Sequence, residues 1–131
     1  MSLPDNDLTY CVIGCSRWVY NAFGPGLLES TYAGAFLEAC RSRGLSTQRE
    51  VFVPVYFNGV EVATYRLDVV VEHRLIVELK SCKTLVPAHI KQVFHYLRVT
   101  DFELALLFNF EPTLEVKRFT LRNSLKYRRA G

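Results

Sequence analysis

Two carboxylates and a lysine stand where they could carry out metal-assisted chemistry. Asp68 and Glu78 interrupt two apolar, β-branched runs, residues 67–71 and 75–79, and Lys80 follows the second run. The polar residues 72–74 between the runs predict the loop of a β-hairpin. With that loop, Asp68 faces Glu78 and Arg66 faces Lys80, with opposed Cβ atoms roughly 5 Å apart. Two carboxylates that close repel each other unless a cation lies between them, so the hairpin predicts a site for a hard divalent metal.

The chemistry that suits this trio is phosphodiester hydrolysis. A cation held by two carboxylates polarises a phosphoryl oxygen and generates hydroxide near neutral pH. Lys80 could orient the attacking water or stabilise charge on phosphorus, and the backbone carbonyl of Leu79 offers a further oxygen ligand. The pattern E-x-K is also typical of a solvated strand face with an ion pair, so these residues alone leave both interpretations open.

Length and composition indicate one folded domain. The chain has 131 residues, of which 50% are hydrophobic and 22% are charged, which is ordinary for a globular protein and excludes a disordered chain. We therefore expect a single domain over residues 1–131. The apolar runs are too short to span a bilayer and the first residues lack a signal-peptide pattern, so we expect a cytoplasmic protein without a membrane partner.

The net charge of +3 is unevenly distributed. Residues 117–131 hold six basic side chains and no acid, and the basic C-terminal tail, about residues 122–131, could bind a polyanion or simply be a solvated terminus. Residues 80–100 also lack acids, which would suit a phosphate backbone, although a solvated helix face explains them equally well.

The four cysteines do not show the spacing of a metal site. Cys11 and Cys15 share a helical face, but the paired spacings of structural zinc sites are missing. We expect reduced, buried thiols.

Hydrophobic periodicity predicts the order α-α-β-β-β-α-β-β. Helices are expected at about residues 8–23, 27–43 and 88–99, and strands at about 49–57, 60–68, 75–82, 103–110 and 115–121. The first helix is expected to begin after the N-cap candidates 5–7, and Trp18, Leu28 and Phe36 are expected in the core. Asn58-Gly59 favours a type I′ turn. Residues 103–110 predict a strand buried on both faces, and 115–121 an edge strand, in a mixed α/β sheet flanked by helices.

Several motifs resemble a known family. Gly26-Leu27-Leu28-Glu29-Ser30-Thr31-Tyr32 carries the G-x-x-E-x-x-Y signature that gives the GxxExxY family its name. The similarity covers about residues 7–121 and continues through the motifs Arg66-x-Asp68, Val77-Glu78-Leu79-Lys80, His89-x-x-Gln92-x-x-x-Tyr96 and Leu106-Leu107-Phe108-Asn109-Phe110. That family is similar to the PD-(D/E)XK nucleases and is taken as a branch of that superfamily. The resemblance implies a restriction-endonuclease-like α-β-β-β-α-β core, here with an extra N-terminal helix and a C-terminal edge strand.

The resemblance also implies roles for individual residues. Asp68 and Glu78 would bind Mg²⁺ or Mn²⁺ together with Leu79 and Glu29, the first-helix acid, and Lys80 would be the catalytic lysine. Gln92 and Tyr96 resemble the Q-x-x-x-Y motif of RecB-like nucleases and share one helical face. Gln92 would take part in catalysis, and Gln92, Tyr96 and His89 would contact the substrate, nucleic acid that we expect to be DNA. The sequence departs from the superfamily pattern at Leu67, which stands where the superfamily name has proline.

Two other functional interpretations stay open. The chain could be a nucleic-acid-binding or interaction module that keeps this fold without turnover. It could also be a resolvase-like enzyme that works as a homodimer, because one small domain rarely covers a branched substrate. Strand 115–121 would be a candidate dimer contact, since unpaired edges invite pairing. For His89 a structural hydrogen bond is an alternative to substrate contact, and for Tyr32 packing in the core is an alternative to a bond with the site.

Overall fold

Helices cover both faces of a five-stranded mixed sheet in residues 4–127, the part of the chain that this computed structural model describes. The helices are α1 Asp5–Phe23, α2 Glu29–Ser42 and α3 Pro87–Val99; the strands are β1 Thr47–Phe57, β2 Val60–Val71, β3 Leu75–Lys80, β4 Leu104–Asn109 and β5 Glu115–Thr120. A turn of 3-10 helix follows at Asn123–Leu125. The predicted α/β class and order of elements are confirmed.

The strands lie in the order β1-β2-β3-β4-β5. Only β3 and β4 are parallel among the described strands, and α3 makes the crossover that a parallel pair requires. The other neighbours are antiparallel, so β1 and β5 form the two edges, the latter as predicted.

Two hydrophobic clusters lie on opposite faces of the sheet. One joins α1 and α2 to the sheet through Leu8, Val12, Phe36, Val69, Val77, Leu79 and Phe108. The other joins α3 to the sheet through Leu67, Val70, Ile76, Val93, Leu97 and Leu107. All six residues of β4 are buried, which confirms the prediction of a strand covered on both faces.

The first two helices begin at different residues from those predicted. α1 begins at Asp5 rather than near Leu8, because Asp5 and Asp7 occupy its first turn, where carboxylates favour the helix dipole. α2 begins at Glu29 rather than Leu27, since Gly24 and Gly26 adopt positive φ and keep the preceding segment as a loop. Leu28 is consequently 75% exposed, and its expected place in the core was wrong.

Trp18 was also expected in the core and is 48% exposed. The buried stripe of α1 passes through Leu8, Val12, Cys15 and Val19, and Trp18 lies at its margin. There the guanidinium of Arg43 sits over the indole ring, 5.2 Å from its centroid. Phe36 is fully buried, as predicted.

The turns follow the sequence predictions, whereas the predicted burial holds for two of the four cysteines. Asn58 and Gly59 have φ of 52° and 74°, as a type I′ turn requires, and residues 72–74 form the β2–β3 loop. All four cysteines are free thiols; Cys15 and Cys40 are buried, whereas Cys11 and Cys82 are only partly so.

The basic tail is folded as far as the structure describes it. The Lys126 ammonium donates to the carbonyls of Thr100 and Phe102 at 2.9 and 2.6 Å, so hydrogen bonds hold this segment although most of its side chains are exposed. Arg128 and Arg129, which belong to the predicted polyanion-binding tail, lie outside the described residues. No helix within residues 4–127 is long and apolar enough to cross a membrane.

Candidate active site

Asp68 and Glu78 connect β2 and β3 just beyond the end of their backbone ladder. The backbone ladder pairs Val71 with Leu75 and ends with Val69 opposite Val77, which confirms the predicted register for these residues. The predicted opposed pairs Asp68–Glu78 and Arg66–Lys80 lie beyond the ladder. Beyond the Val69–Val77 pair, hydrogen bonds between backbone N–H groups and carboxylate side chains connect the two strands. The N–H of Asp68 donates to Glu78 Oε1 at 3.1 Å, and the N–H of Leu79 donates to Asp68 Oδ2 at 3.2 Å. The two predicted carboxylates therefore meet where the strands begin to separate.

Charge repulsion and burial act together on this pair. Glu78 is 2% exposed, and this burial, with the neighbouring Asp68 carboxylate, raises the pKa of Glu78 to about 9. The Lys80 ammonium acts in the opposite direction and favours the charged form. Two acids held together at such a cost fit a hard divalent cation, whose charge would relieve the repulsion and whose preferred ligands are oxygen atoms.

The regular alternation of side chains between the two faces of the sheet is broken at Asp68 in β2. Residues two apart on a regular strand share a face, yet Leu67 packs in the cluster against α3 and Val69 in the cluster against α1 and α2. On the neighbouring strand, Glu50 lies between the paired positions Arg49–Val69 and Val51–Leu67 and has φ of 55°, which is uncommon for a residue with a side chain. The change of face lets the Asp68 carboxylate bond to β3 and also reach the other side of the sheet.

A cavity of about 240 Å³ opens on the face of the sheet that α1 and α2 cover. Its wall contains Glu29, Ser30, Ala33, Arg49, Glu50, Arg66, Asp68, Val69 and Leu79. The structure thus brings together Glu29, Asp68 and Leu79, three of the four predicted metal ligands. It also adds Glu50, which sequence reasoning missed and which forms an ion pair with Arg66 at 3.5 Å.

Glu78 and Lys80 lie toward the opposite face of the sheet, which α3 covers. They alternate with Leu79 and share the side of Ile76, which packs against α3. Among the residues that the structure describes, no three His, Cys, Asp or Glu side chains form a group that could hold a metal ion. That Glu29, Asp68 and Glu78 form one ligand set therefore stays a prediction. Asp68 lies near both of the other acids, since it lines the cavity with Glu29 and is hydrogen-bonded to Glu78.

The G-x-x-E-x-x-Y segment fixes the loop before Glu29. Tyr32 is buried and stacks on Phe110 with ring centroids 4.3 Å apart. Its hydroxyl donates to the Gly24 carbonyl at 2.6 Å and accepts from the Leu27 N–H at 3.1 Å. Ser81 Oγ donates to the Leu27 carbonyl at 2.9 Å, which ties this loop to the segment after Lys80. Tyr32 therefore positions the start of α2 from the core, as its alternative interpretation expected.

Asn109 is a positioning residue that sequence reasoning missed. It is 2% exposed and pairs with Lys80 across the parallel strands. Its amide donates to the Cys82 carbonyl at 2.9 Å and the Glu111 carbonyl at 3.0 Å, and its oxygen accepts from the Cys82 N–H at 3.1 Å. The signal in the sequence was a lone polar residue in an apolar strand, since such a residue must find partners when it is buried.

The predicted residues of α3 have different surroundings. Tyr96 is 5% exposed, and burial together with the charges of Glu78 and Asp68 raises the pKa of Tyr96 to about 12, so its phenol lies near the acid pair. Gln92 is exposed one turn earlier on the same helix. His89 Nδ1 accepts from the Val86 N–H at 3.2 Å, which gives this histidine the structural role of capping α3.

One comparison with known proteins produced a match. A family profile described as the PD-(D/E)XK nuclease superfamily covers residues 6–119, a span that contains every site residue named above. No match was found among curated proteins or among solved structures. The GxxExxY branch is a finer assignment, and it stays a prediction. With a matched span that reaches from α1 to the end of β5, the chain belongs to the PD-(D/E)XK nuclease superfamily.

Proposed function

We propose that this protein is a metal-dependent nuclease that hydrolyses phosphodiester bonds of nucleic acid, with DNA as the substrate and Mg²⁺ or Mn²⁺ as the cofactor. The observation that carries the proposal is the pair formed by the partly buried Asp68 and the buried Glu78 where β2 and β3 separate, with Lys80 two residues further on. A solvated strand face would not bury Glu78 beside a second carboxylate.

The chain's own residues have distinct parts in the reaction. Asp68 and Glu78 would hold the cation, with the Leu79 carbonyl and Glu29 as further oxygen ligands. A cation bound there supplies Lewis acidity to a phosphoryl oxygen and makes a water more acidic. In the hydrolysis a water oxygen would attack phosphorus as one phosphorus–oxygen ester bond breaks. One proton of the water would pass to the leaving oxygen and the other to solvent, and the products would be a phosphate monoester and a hydroxyl. Lys80 stabilises the negative charge that develops on the phosphoryl group.

The first residues of α3 and the loop before it would hold the phosphate backbone. Gln92 is exposed one turn before Tyr96 on α3, and Lys83 and Lys91 are also exposed. No acid lies between residues 80 and 100. Cationic and amide groups of this kind fix the register of a nucleic acid without reading its sequence.

Cleavage assays with isosteric variants test the reaction. We expect wild-type protein to cut single-stranded, duplex or branched nucleic acid with Mg²⁺ or Mn²⁺ and to stop in EDTA. Asp68→Asn, Glu78→Gln and Lys80→Met should each lower the rate by at least about a hundredfold, because each removes charge from the reacting centre. Arg17→Met is the control, since it removes an exposed cation of α1 that does not line the cavity, and it should leave the rate within about twofold. Equal cleavage by wild-type protein and Asp68→Asn would contradict the proposal.

A metal-binding readout separates a nuclease from a silent binding module on the same fold. The module is the second candidate, and the position of Glu29 and Glu78 toward opposite faces of the sheet favours it. A nuclease should unfold at a higher temperature when Mg²⁺ or Mn²⁺ is added, because a ligand that binds only the folded state stabilises it. Asp68→Asn should lose that shift. A module should bind nucleic acid without metal and show no shift in either protein. The proposal also includes a cytoplasmic location and a homodimer, the latter testable by sedimentation.

A further inference from the structure

The β1–β2 hairpin extends well beyond the candidate active site. Within residues 4–127, β2 pairs with both neighbours only from Val69 to Val71, and its segment from Val60 to Leu67 pairs with β1 alone. We call residues 51–67 the hairpin arm. Eight residues of strand extend about 27 Å, so the arm is long enough to accompany a bound polymer for several of its units.

One face of the arm is apolar and exposed. Along β1, Val51 and Val53 are partly buried against the cluster beneath α3. Phe52 and Tyr56 alternate with them and point to the other side, with exposures of 66% and 58%. Single exposed apolar residues are ordinary, but here two aromatic rings lie on one strand face with the exposed Pro54 between them.

This face leads directly into the cavity of the candidate site. Phe52 is the cross-strand partner of Arg66, so the two side chains lie side by side on one face of the sheet. Arg66 in turn lines the cavity with Asp68 and Arg49. Rings, guanidinium groups and the carboxylate predicted to bind metal therefore follow one another along a single surface.

We propose that Phe52 and Tyr56 stack on unpaired bases of a single-stranded nucleic acid while Arg66 and Arg49 contact its phosphates next to Asp68. The inference rests on the proposed nuclease function and names the form of nucleic acid that the site takes. Surfaces that hold single strands combine cationic side chains along the backbone with aromatic rings, because every base offers a flat face.

Two features favour a single strand over a duplex. Bases in a duplex are stacked on one another, so rings on an open strand face reach base faces only where pairing is lost. The arm also carries no net charge, since Glu61 and Arg66 are the charged residues within 51–67. A duplex surface, which is recognised mainly through its dense phosphates, would gain little from such an arm.

Binding of a fluorescent oligothymidine, measured by anisotropy in EDTA so that no turnover occurs, tests the proposal. The double variant Phe52→Leu/Tyr56→Leu keeps apolar surface but lacks ring faces, and it should bind the single strand about 10- to 100-fold more weakly. Phe52→Trp/Tyr56→Trp should retain affinity. Affinity for a duplex of equal length should change less than twofold. Tyr10→Leu is the matched control, because Tyr10 is 83% exposed on α1, and it should bind as wild-type protein does.

Three results would overturn the inference: the leucine variant binds like wild-type protein, the tryptophan variant binds as weakly as the leucine variant, or wild-type protein shows no preference for the single strand. A fourth is a wild-type dimer that the leucine variant disrupts with oligonucleotide affinity unchanged, which would make the arm an interface between two copies. The outcomes also separate the two proposals. If cleavage depends on Asp68 but binding does not depend on the rings of Phe52 and Tyr56, the nuclease proposal stands and the role of the arm is rejected. If binding depends on the rings but no cleavage occurs, the role of the arm in binding stands and the nuclease proposal is rejected.

Discussion

The two halves of β2 are equally apolar but have opposite surroundings. Leu67 and residues 69–71 are at most 1% exposed, whereas Val60 and Val62 are 61% and 59% exposed. The difference lies in their neighbours: residues 69–71 have β1 and β3 beside them and helices on both faces of the sheet, and Leu67 is buried in the cluster beneath α3. Val60 and Val62 have β1 alone. β-branched residues therefore specify the strand, and the neighbouring elements decide whether it is core or surface.

Asp68 lies at the border between these halves. Its carboxylate accepts the hydrogen bond of the Leu79 N–H in β3 at the point where the backbone pairing between β2 and β3 ends. Such a border can bury a charged group on one side and admit a polymer on the other, a combination that neither a sheet centre nor a free hairpin provides. The position of the site thus follows from the change in surroundings along a single strand.

The largest expected effect contrasts Leu67→Ala with Val62→Ala. Leu67 is fully buried, and its truncation should lower the free energy of unfolding by about 2–5 kcal/mol through lost burial and a new cavity. Val62 on the exposed half of the same strand should change it by less than about 0.5 kcal/mol. Urea denaturation followed by circular dichroism measures both. Similar losses at the two positions would mean that the arm is covered in solution, for example by a second chain.

A smaller effect is expected at Asn109, which holds the segment after Lys80 in place. Asn109→Ala leaves the backbone N–H and carbonyl of Cys82 without their partner and should lower the free energy of unfolding by about 1–3 kcal/mol in all, because water can reach the partly buried Cys82. Asn21→Ala, at an exposed position of α1, is the control and should have little effect on the same denaturation curve. If Asn109→Ala unfolds at the wild-type urea concentration, the amide does not hold this segment.

Local patterns were enough to predict much of the buried half. Alternation on either side of the polar residues 72–74 gave the register that brings Asp68 to Glu78, because a short loop and two one-sided strands leave little freedom. The apolar run of β4 likewise had one solution, burial on both faces. The resemblance to PD-(D/E)XK nucleases supplied the roles of Glu29 and Gln92, which spacing alone would not have suggested.

Features that depend on tertiary contacts were missed. The positive φ of Glu50 and the change of face at Asp68 arise from how β1 and β3 meet β2, and no residue type marks them. Leu28 and Trp18 satisfied a helical stripe but lie outside the area that the sheet covers. For the same reason the separation of Glu29 from Glu78 could not be predicted, since it depends on which face of the sheet each element occupies.

The smallest expected effect sharpens the account of the exposed half. Glu61 is the cross-strand partner of Tyr56 and accepts a hydrogen bond from Thr64 Oγ1 at 3.1 Å. If unpaired bases stack on Tyr56, the Glu61 carboxylate lies near their phosphates and repels them. Glu61→Gln should then strengthen binding of the oligothymidine by about two- to threefold at low salt, and the gain should shrink as salt screens the charge. Glu115→Gln on the opposite edge strand is the control and should leave affinity unchanged. Weaker binding by Glu61→Gln, or an equal gain in both variants, would show that the strand does not run past Tyr56.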